Sequence, residues 1–201
     1  IAFNKTISKN KILTEGIQNL DQTDIFNAKN LGYKIKLLAI SEIKNKKLIE
    51  RVHPCLVLKH SHLANIDGVL NAVVIDGLPI GRSILQGEGA GPGPTSSALL
   101  SDLYSIVKGN IQYPFGVSYT RRNKIANFDV SKHSCSSYLR IEVKDVPGVL
   151  SSITKTFANY NISIKNLIQN PYKKNKKASI IIITHENLEK NYRNLLKNLI
   201  K

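Results

Sequence analysis

The C-terminal third of the sequence alternates in a way that few folds can satisfy. YLRIEVK reads as a strand, PGVLSSITKTFANYN as a helix, ISIKNLIQ and ASIIIITH as two strands, and NLEKNYRNLLKNLIK as a closing helix. Apolar alternation or short apolar runs mark the strands, and spacing near 3.6 marks the helices. The order βαββα lacks only a final strand to be a ferredoxin-like βαββαβ sandwich.

The residues before it are organised differently. DQTDIFNAKNL places Ile25, Ala28 and Leu31 on one helical face behind Asp21 or Thr23 as N-cap, with Gly32 ending the helix. YKIKLLAISE and KKLIERVHPCLVL follow, where Ile35, Leu37 and Ala39, then Leu48 and Val52, alternate as strands with one buried face. Pro54 marks an edge or a bend in the second of these. In GVLNAVVIDGLPIGRSILQGEG two apolar strands flank Asp76-Gly77, a pair that favours a hairpin turn. The count predicts a sheet of about four strands.

The block QGEGAGPGPTSSALLSDLYSIVKG then sets four glycines and two prolines in front of a helix. Thr95 is placed to cap that helix, Leu99, Leu103, Ile106 and Val107 form its apolar stripe, and Gly109 stops it. Residues 111–136 lose periodicity and read as a linker. The fold class is therefore α+β: a mixed sheet with helices over residues 1–110, then the ferredoxin-like unit over 137–201.

Composition narrows what such a chain can do. With 42% hydrophobic residues in 201 it can bury a core, and it contains no apolar run long enough to span a membrane or serve as a secretion signal. A soluble, cytoplasmic protein is expected. Methionine is absent, so the sequence is expected to be part of a longer polypeptide. The formal charge of +15 would attract nucleic acid, but the lysines are spread among Asn and Ile without an aromatic-plus-arginine platform, so no nucleic-acid partner is expected. The densest run, YKKNKK at 172–177, reads as a solvated turn between strands. Cys55 and Cys135 stand alone and suit a reducing compartment, as half-buried thiols rather than a zinc site or a disulfide. His53 and the KHSH pair His60 and His62 lack a third ligand, so no metal site is expected. Asp21 and Asp24 read as helix-start charges rather than an acid/base pair.

GYKIKLLA, VHPCLV, NAVVIDG and GEGAGPGPTSSALLSDL resemble the C-terminal half of the catalytic domain of homoserine dehydrogenase. KDVPGVLSSIT and NISIKNLIQ resemble an ACT domain, and the combination points to the monofunctional form of the enzyme. The resemblance implies NAD(P)-dependent interconversion of L-homoserine and aspartate 4-semialdehyde by the intact enzyme. It also implies a homo-oligomer through the catalytic sheet and the ACT domain, and an amino-acid effector, threonine in this pathway. No G-x-G-x-x-G fingerprint follows a strand here, and the family's catalytic lysine is expected upstream of Ile1. No catalytic residue is therefore assigned in this chain, and by itself it is expected to be inactive and to bind no cofactor tightly.

What the resemblance does assign is backbone. Gly89, Ala90 and Gly91, with Thr95, lie between a strand end and a helix start, where N–H groups are free, and the resemblance puts Gly91 against the cofactor. From the residues alone, a sharp strand-to-helix turn explains the same glycines. In the ACT unit Asp145, Pro147 and Gly148 build the first turn, and the N–H groups of Val149 and Leu150 can take an effector's carboxylate. The alternative is an ACT domain that serves only dimerisation.

Overall fold

Asp21 opens the first helix with a reciprocal cap. Its carboxylate accepts the N–H groups of Thr23 and Asp24, while the Asp24 carboxylate accepts the N–H of Asp21, filling donors left free at the start of α1 (Gln22–Asn30). Gly32, at φ +82°, then turns the chain out of the helix in a conformation that a side chain resists. The computed structural model describes residues 2–6, 12–110, 112–113, 116–171 and 177–199.

The face that α1 buries is not the expected apolar one. Asp24, Asn27 and Ala28 are buried, whereas Ile25 and Phe26 are exposed. Long-range partners explain the difference. The Asp24 carboxylate accepts from the Tyr138 hydroxyl at 2.8 Å and from Arg140 Nε at 2.8 Å, and Asn27 accepts from the Asn170 amide at 3.4 Å. Periodicity reports apolar faces and is blind to a polar face with distant partners.

β1 (Leu13–Thr14) pairs in parallel with Arg51 and Val52, and β2 (Tyr33–Lys44) pairs antiparallel with the whole of β3 (Lys47–Leu58). Asn45 and Lys46, both at positive φ, make a two-residue turn whose twist suits the strands it joins. Pro54 lies within β3 opposite Leu37 and beyond the residues that β1 covers, where a missing N–H interrupts no ladder on that edge. The expected buried face of β2 is largely open instead: Ile35 is half-buried but Leu37 and Ala39 are exposed, and the intervening Leu38 and Ile40 are half-buried. Alternation says which residues share a face, and a partner decides which face is covered.

The predicted four strands do not make one sheet. β4 (Leu70–Gly77) and β5 (Gly81–Glu88) form a separate hairpin. Asp76-Gly77 ends β4, while Leu78, Pro79 and Ile80 form the turn, so the pair was correctly read as a hairpin signal but sits beside the bend. Asp76 stands opposite Arg82, whose guanidinium holds its carboxylate at 2.7 and 3.0 Å. Next comes α2 (Pro92–Val107), none of whose residues is buried. Leu99, Leu103 and Ile106 of its stripe are exposed, as are Val73, Ile75 and Leu85 of the hairpin. No helix among the described residues is long and apolar enough to cross a membrane.

The segment between α2 and the C-terminal unit touches β3 around residues 126–128 and at His133, and pairs with residues 4–6 at Asn123. Leu48 donates its N–H to the Ala126 carbonyl at 2.9 Å and accepts that of Phe128 at 2.8 Å, and Lys5 donates to the Asn127 side chain at 2.8 Å. Farther along, Arg51 makes a short hydrogen bond to the Nε2 of buried His133.

The C-terminal unit keeps the expected βαββα order and adds two short strands to it: β6 (Ser134–Cys135), β7 (Tyr138–Lys144), α3 (Val149–Asn159), β8 (Ile164–Pro171), β9 (Lys177–Thr184), β10 (Asn187–Leu188) and α4 (Glu189–Leu199), of which the sequence pattern predicts neither β6 nor β10. Its sheet runs β7-β9-β8, antiparallel throughout, with the small pair β6-β10 beside it. Ile153 and Phe157 of α3, Tyr192 and Leu195 of α4, Ile162, and Ile180 and Ile182 of β9 form the core. β9 is the central strand and is buried from Ala178 to Thr184, so its apolar run does not alternate. Tyr192 turns its hydroxyl to Thr184 Oγ1 at 2.6 Å and to the carbonyls of His185 and Cys135 at 2.9 and 3.1 Å, which satisfies a polar group inside that core. Of the basic run read as a turn, residues 172–176 lie outside the described residues.

Candidate functional sites

Two loop-to-helix junctions carry the residues singled out from the sequence. At the first, β5 ends at Glu88, the Gly89 N–H bonds the Val69 carbonyl at 3.2 Å, and Gly91 caps α2 at φ +119°. That angle calls for glycine whatever lies nearby. Thr95 is not the cap: its N–H closes the first helical turn onto the Gly91 carbonyl at 3.2 Å, and the helix begins at Pro92. Proline's fixed φ suits a first helical position, which moves the start forward of the threonine.

The same prolines change what this helix start can bind. Pro92 and Pro94 have no N–H, so among the first three helical residues only Gly93 brings a donor. The expectation of several free N–H groups at the helix start is corrected accordingly: the junction presents bare backbone more than it presents donors. A Cβ added at Gly89 would fall on the Asn71 amide, and one added at Gly93 would meet no atom within 4 Å. Gly89, Ala90, Gly91 and Thr95 are all exposed and share this one junction.

At the second junction β7 runs into the turn Asp145 to Gly148. The Asp145 carboxylate accepts from the Gln169 side-chain amide at 3.0 Å, which ties the turn to β8 across the end of β9. Gly148 caps α3 in the left-handed region, φ +91°, and a Cβ built there meets no atom within 4 Å. The Ser152 N–H bonds the Gly148 carbonyl at 3.0 Å, and the Val149 N–H reaches the Val146 carbonyl at 3.4 Å. Of the two donors expected, Val149 is thus partly engaged, and the Leu150 N–H has no backbone partner outside the helix among the described residues. Gln169 was not singled out from the sequence; a polar residue closing an apolar strand beside a turn aspartate is the signal that could have found it.

The remaining candidates carry no activated group. Cys55 Sγ lies 3.4 Å from His53 Nδ1, and burial pushes its thiol above the usual range, as burial and then Glu189 do for Cys135. His60 follows β3 in a turn and His62 begins a short 3-10 helix, so the KHSH pair does not share one side of a strand. Among the described residues no three His, Cys, Asp or Glu side chains come together as a metal site.

Comparison with known proteins fits both junctions into larger units. The family model for homoserine dehydrogenase matches residues 1–104, and the model for the ACT domain matches 137–201. A homoserine dehydrogenase of Neisseria gonorrhoeae is 35% identical over 98% of this chain and 46% of its own length, and that of Helicobacter pylori is 34% identical over 99% and 47%. The solved homoserine dehydrogenase of Thiobacillus denitrificans superposes with a TM-score of 0.82 at 31% identity, covering 98% of this chain and 46% of that one. The chain spans about half the length of the curated relatives it matches.

Proposed function

We propose, from the premise that this chain belongs to the homoserine dehydrogenase family, that it supplies the C-terminal part of an NAD(P)-dependent enzyme interconverting L-homoserine and L-aspartate 4-semialdehyde. Its ACT domain takes an amino-acid effector, threonine in this reading. The observation that carries the first claim is the junction at Gly91. A strand end and a helix with an exposed apolar stripe meet there through Gly89, Ala90 and Gly91, which bear no side chain beyond one methyl, and such a helix calls for a covering layer.

In this reading the layer is a nucleotide-binding domain, and Gly89, Ala90 and Gly91, with Thr95 one turn into α2, form the opposing wall of the cofactor cleft. Two prolines in the first turn make it a poor cradle for a pyrophosphate, which favours the uncharged nicotinamide end as the part that lies here. The cofactor supplies the hydride. This chain supplies a wall that a Cβ would narrow, and none of its side chains is assigned the proton transfer to the developing alkoxide. The exposed apolar face of the hairpin and the ACT domain are the proposed contacts of a homo-oligomer. The purified 201-residue chain is expected to give no aspartate-semialdehyde-dependent oxidation of NADPH; measurable turnover would overturn this assignment of roles.

A second reading, an amino-acid-binding or oligomerisation module without catalysis, is favoured by one feature: the turn at Gly148 is complete within this chain, with an open approach to its backbone. Calorimetry with threonine, serine and methionine tests it. Heat that disappears in Gly148→Trp supports effector binding, and no heat with any of them leaves the ACT domain a role in assembly alone.

A further inference from the structure

The face of the β7-β9-β8 sheet turned away from α3 and α4 meets α1, and beside the buried Ile181 and Ile183 of β9 the meeting carries a cluster of charged and polar side chains. Along β7, Leu139, Ile141 and Val143 pack towards the core, so Tyr138, Arg140 and Glu142 line the opposite face. Arg140 gathers three acids. Its Nε lies 2.8 Å from Asp24 Oδ1, and its Nη2 lies 2.8 Å from Asp21 Oδ2 and 3.3 Å from Asp24 Oδ2. Its Nη1 lies 3.2 Å from Glu142 Oε1. The Asp24 side chain is 3% exposed and that of Arg140 20%, so the pair is largely withdrawn from water.

We infer that Arg140 and Asp24 form a releasable clasp that fixes the ACT sheet against the N-terminal part of the chain. A desolvated ion pair offers little over an apolar contact of the same size, yet cutting one partner strands the other, so the joint is either closed or strongly disfavoured. Removing Arg140 leaves Asp21, Asp24 and Glu142 facing one another with no cation among them. The rest of the contact is mixed. Ala28 of α1 and Ile181 and Ile183 of β9 are buried on this side, while Asn27 Nδ2 and Ser179 Oγ are buried there without a hydrogen-bond partner, which offsets part of that apolar gain. α1 is held at its other end, where the Gly32 carbonyl accepts the Lys59 N–H at 2.9 Å, so it belongs to the N-terminal part and not to the sandwich. The strand that bears Arg140 leads directly into the turn at Asp145, and the clasp therefore fixes the place of that turn relative to α1.

Hydrogen exchange on the 201-residue chain tests the clasp without any ligand. In Arg140→Gln the amides of Ile25 to Leu31 exchange at least tenfold faster than in the parent, while those of Ile180 and Ile182 keep their rates because the sandwich core is untouched. Arg140→Lys, which keeps the charge but not the two-pronged grip, falls between. Acceleration of α1 by less than tenfold in Arg140→Gln, or an equal acceleration in β9, overturns the proposal: the first makes the pair incidental, the second makes it part of the general fold. Catalysis and effector binding enter neither measurement, so failure of the functional reading above and failure of the clasp remain separate results.

Discussion

Substitution of Gly148 separates the backbone's demand for glycine from a ligand's demand for space. The residue sits at φ +91°, where a side chain costs about 1–2 kcal/mol. No further steric cost follows inside the chain, because a Cβ there meets nothing within 4 Å. Gly148→Ala should therefore lose about 1–2 kcal/mol, and a unit of this size should melt roughly 4–16 °C lower, at about 4–8 °C per kcal/mol. Gly148→Asn should lose less, since asparagine tolerates the left-handed region better. Gly148→Trp should cost about as much stability as alanine, its ring lying in open solvent, while closing the approach to the Leu150 N–H. Circular dichroism melts and threonine calorimetry on the same preparations give both quantities. The expected pattern is equal destabilisation by alanine and tryptophan, with binding largely kept by the first and lost by the second. A loss well above about 3 kcal/mol in alanine would show that the turn is closed by contacts the geometry does not contain. Unchanged threonine binding in tryptophan would refute the location of the site.

His133 is buried beside the Arg51 guanidinium, and burial first, then Arg51, hold its pKa below the ordinary histidine value, with Lys44 acting the same way and Glu42 and Glu189 opposing. The folded state therefore binds fewer protons than the unfolded one below about pH 6.5, so stability is full above that value and falls as pH drops beneath it, by at most about 1.4 kcal/mol per pH unit for one proton. Melting between pH 7.5 and 5 should fall more steeply in the parent than in His133→Gln, and parallel curves would remove the histidine from the account. Phe157, 1% exposed in the sandwich core, should cost about 3–5 kcal/mol when cut to alanine, read as a shift in urea midpoint; a loss under about 1 kcal/mol would mean that its ring does not fill the core.

The ACT unit was legible because each of its elements is locally self-consistent. Gly148 marks a helix start, β9 is apolar enough to read as a central strand, and α4 carries its stripe unbroken. Asp21 likewise announced α1 from its own neighbours. What was not legible depends on partners far along the chain. Asp24 is buried because Arg140, 116 positions later, needs it, and no window around residue 24 contains that information. The alternating charge in β7 was the available trace: Arg140 and Glu142 interleave with apolar residues on a strand of a unit already expected to pack only one way. The four-strand count failed for a related reason. Strand identity is local, but whether β4 and β5 join β2 and β3 depends on what fills the space between them. Thr95 lost the cap to Gly91 because two prolines outweigh a hydroxyl in deciding where a helix can begin. The junctions were thus found by pattern, and their detailed donors were set by backbone chemistry that a motif does not spell out.

The central strand β9 has a consequence for anyone who heats or refolds this protein. Ser179 to Thr184 is an uncharged stretch of isoleucines between Lys177 and His185, hidden on both sides only while the sandwich is intact. Released at high concentration, such a segment is a template for stacking with copies of itself. Melting should then be irreversible and dependent on scan rate, and recovery from denaturant should improve steeply on dilution.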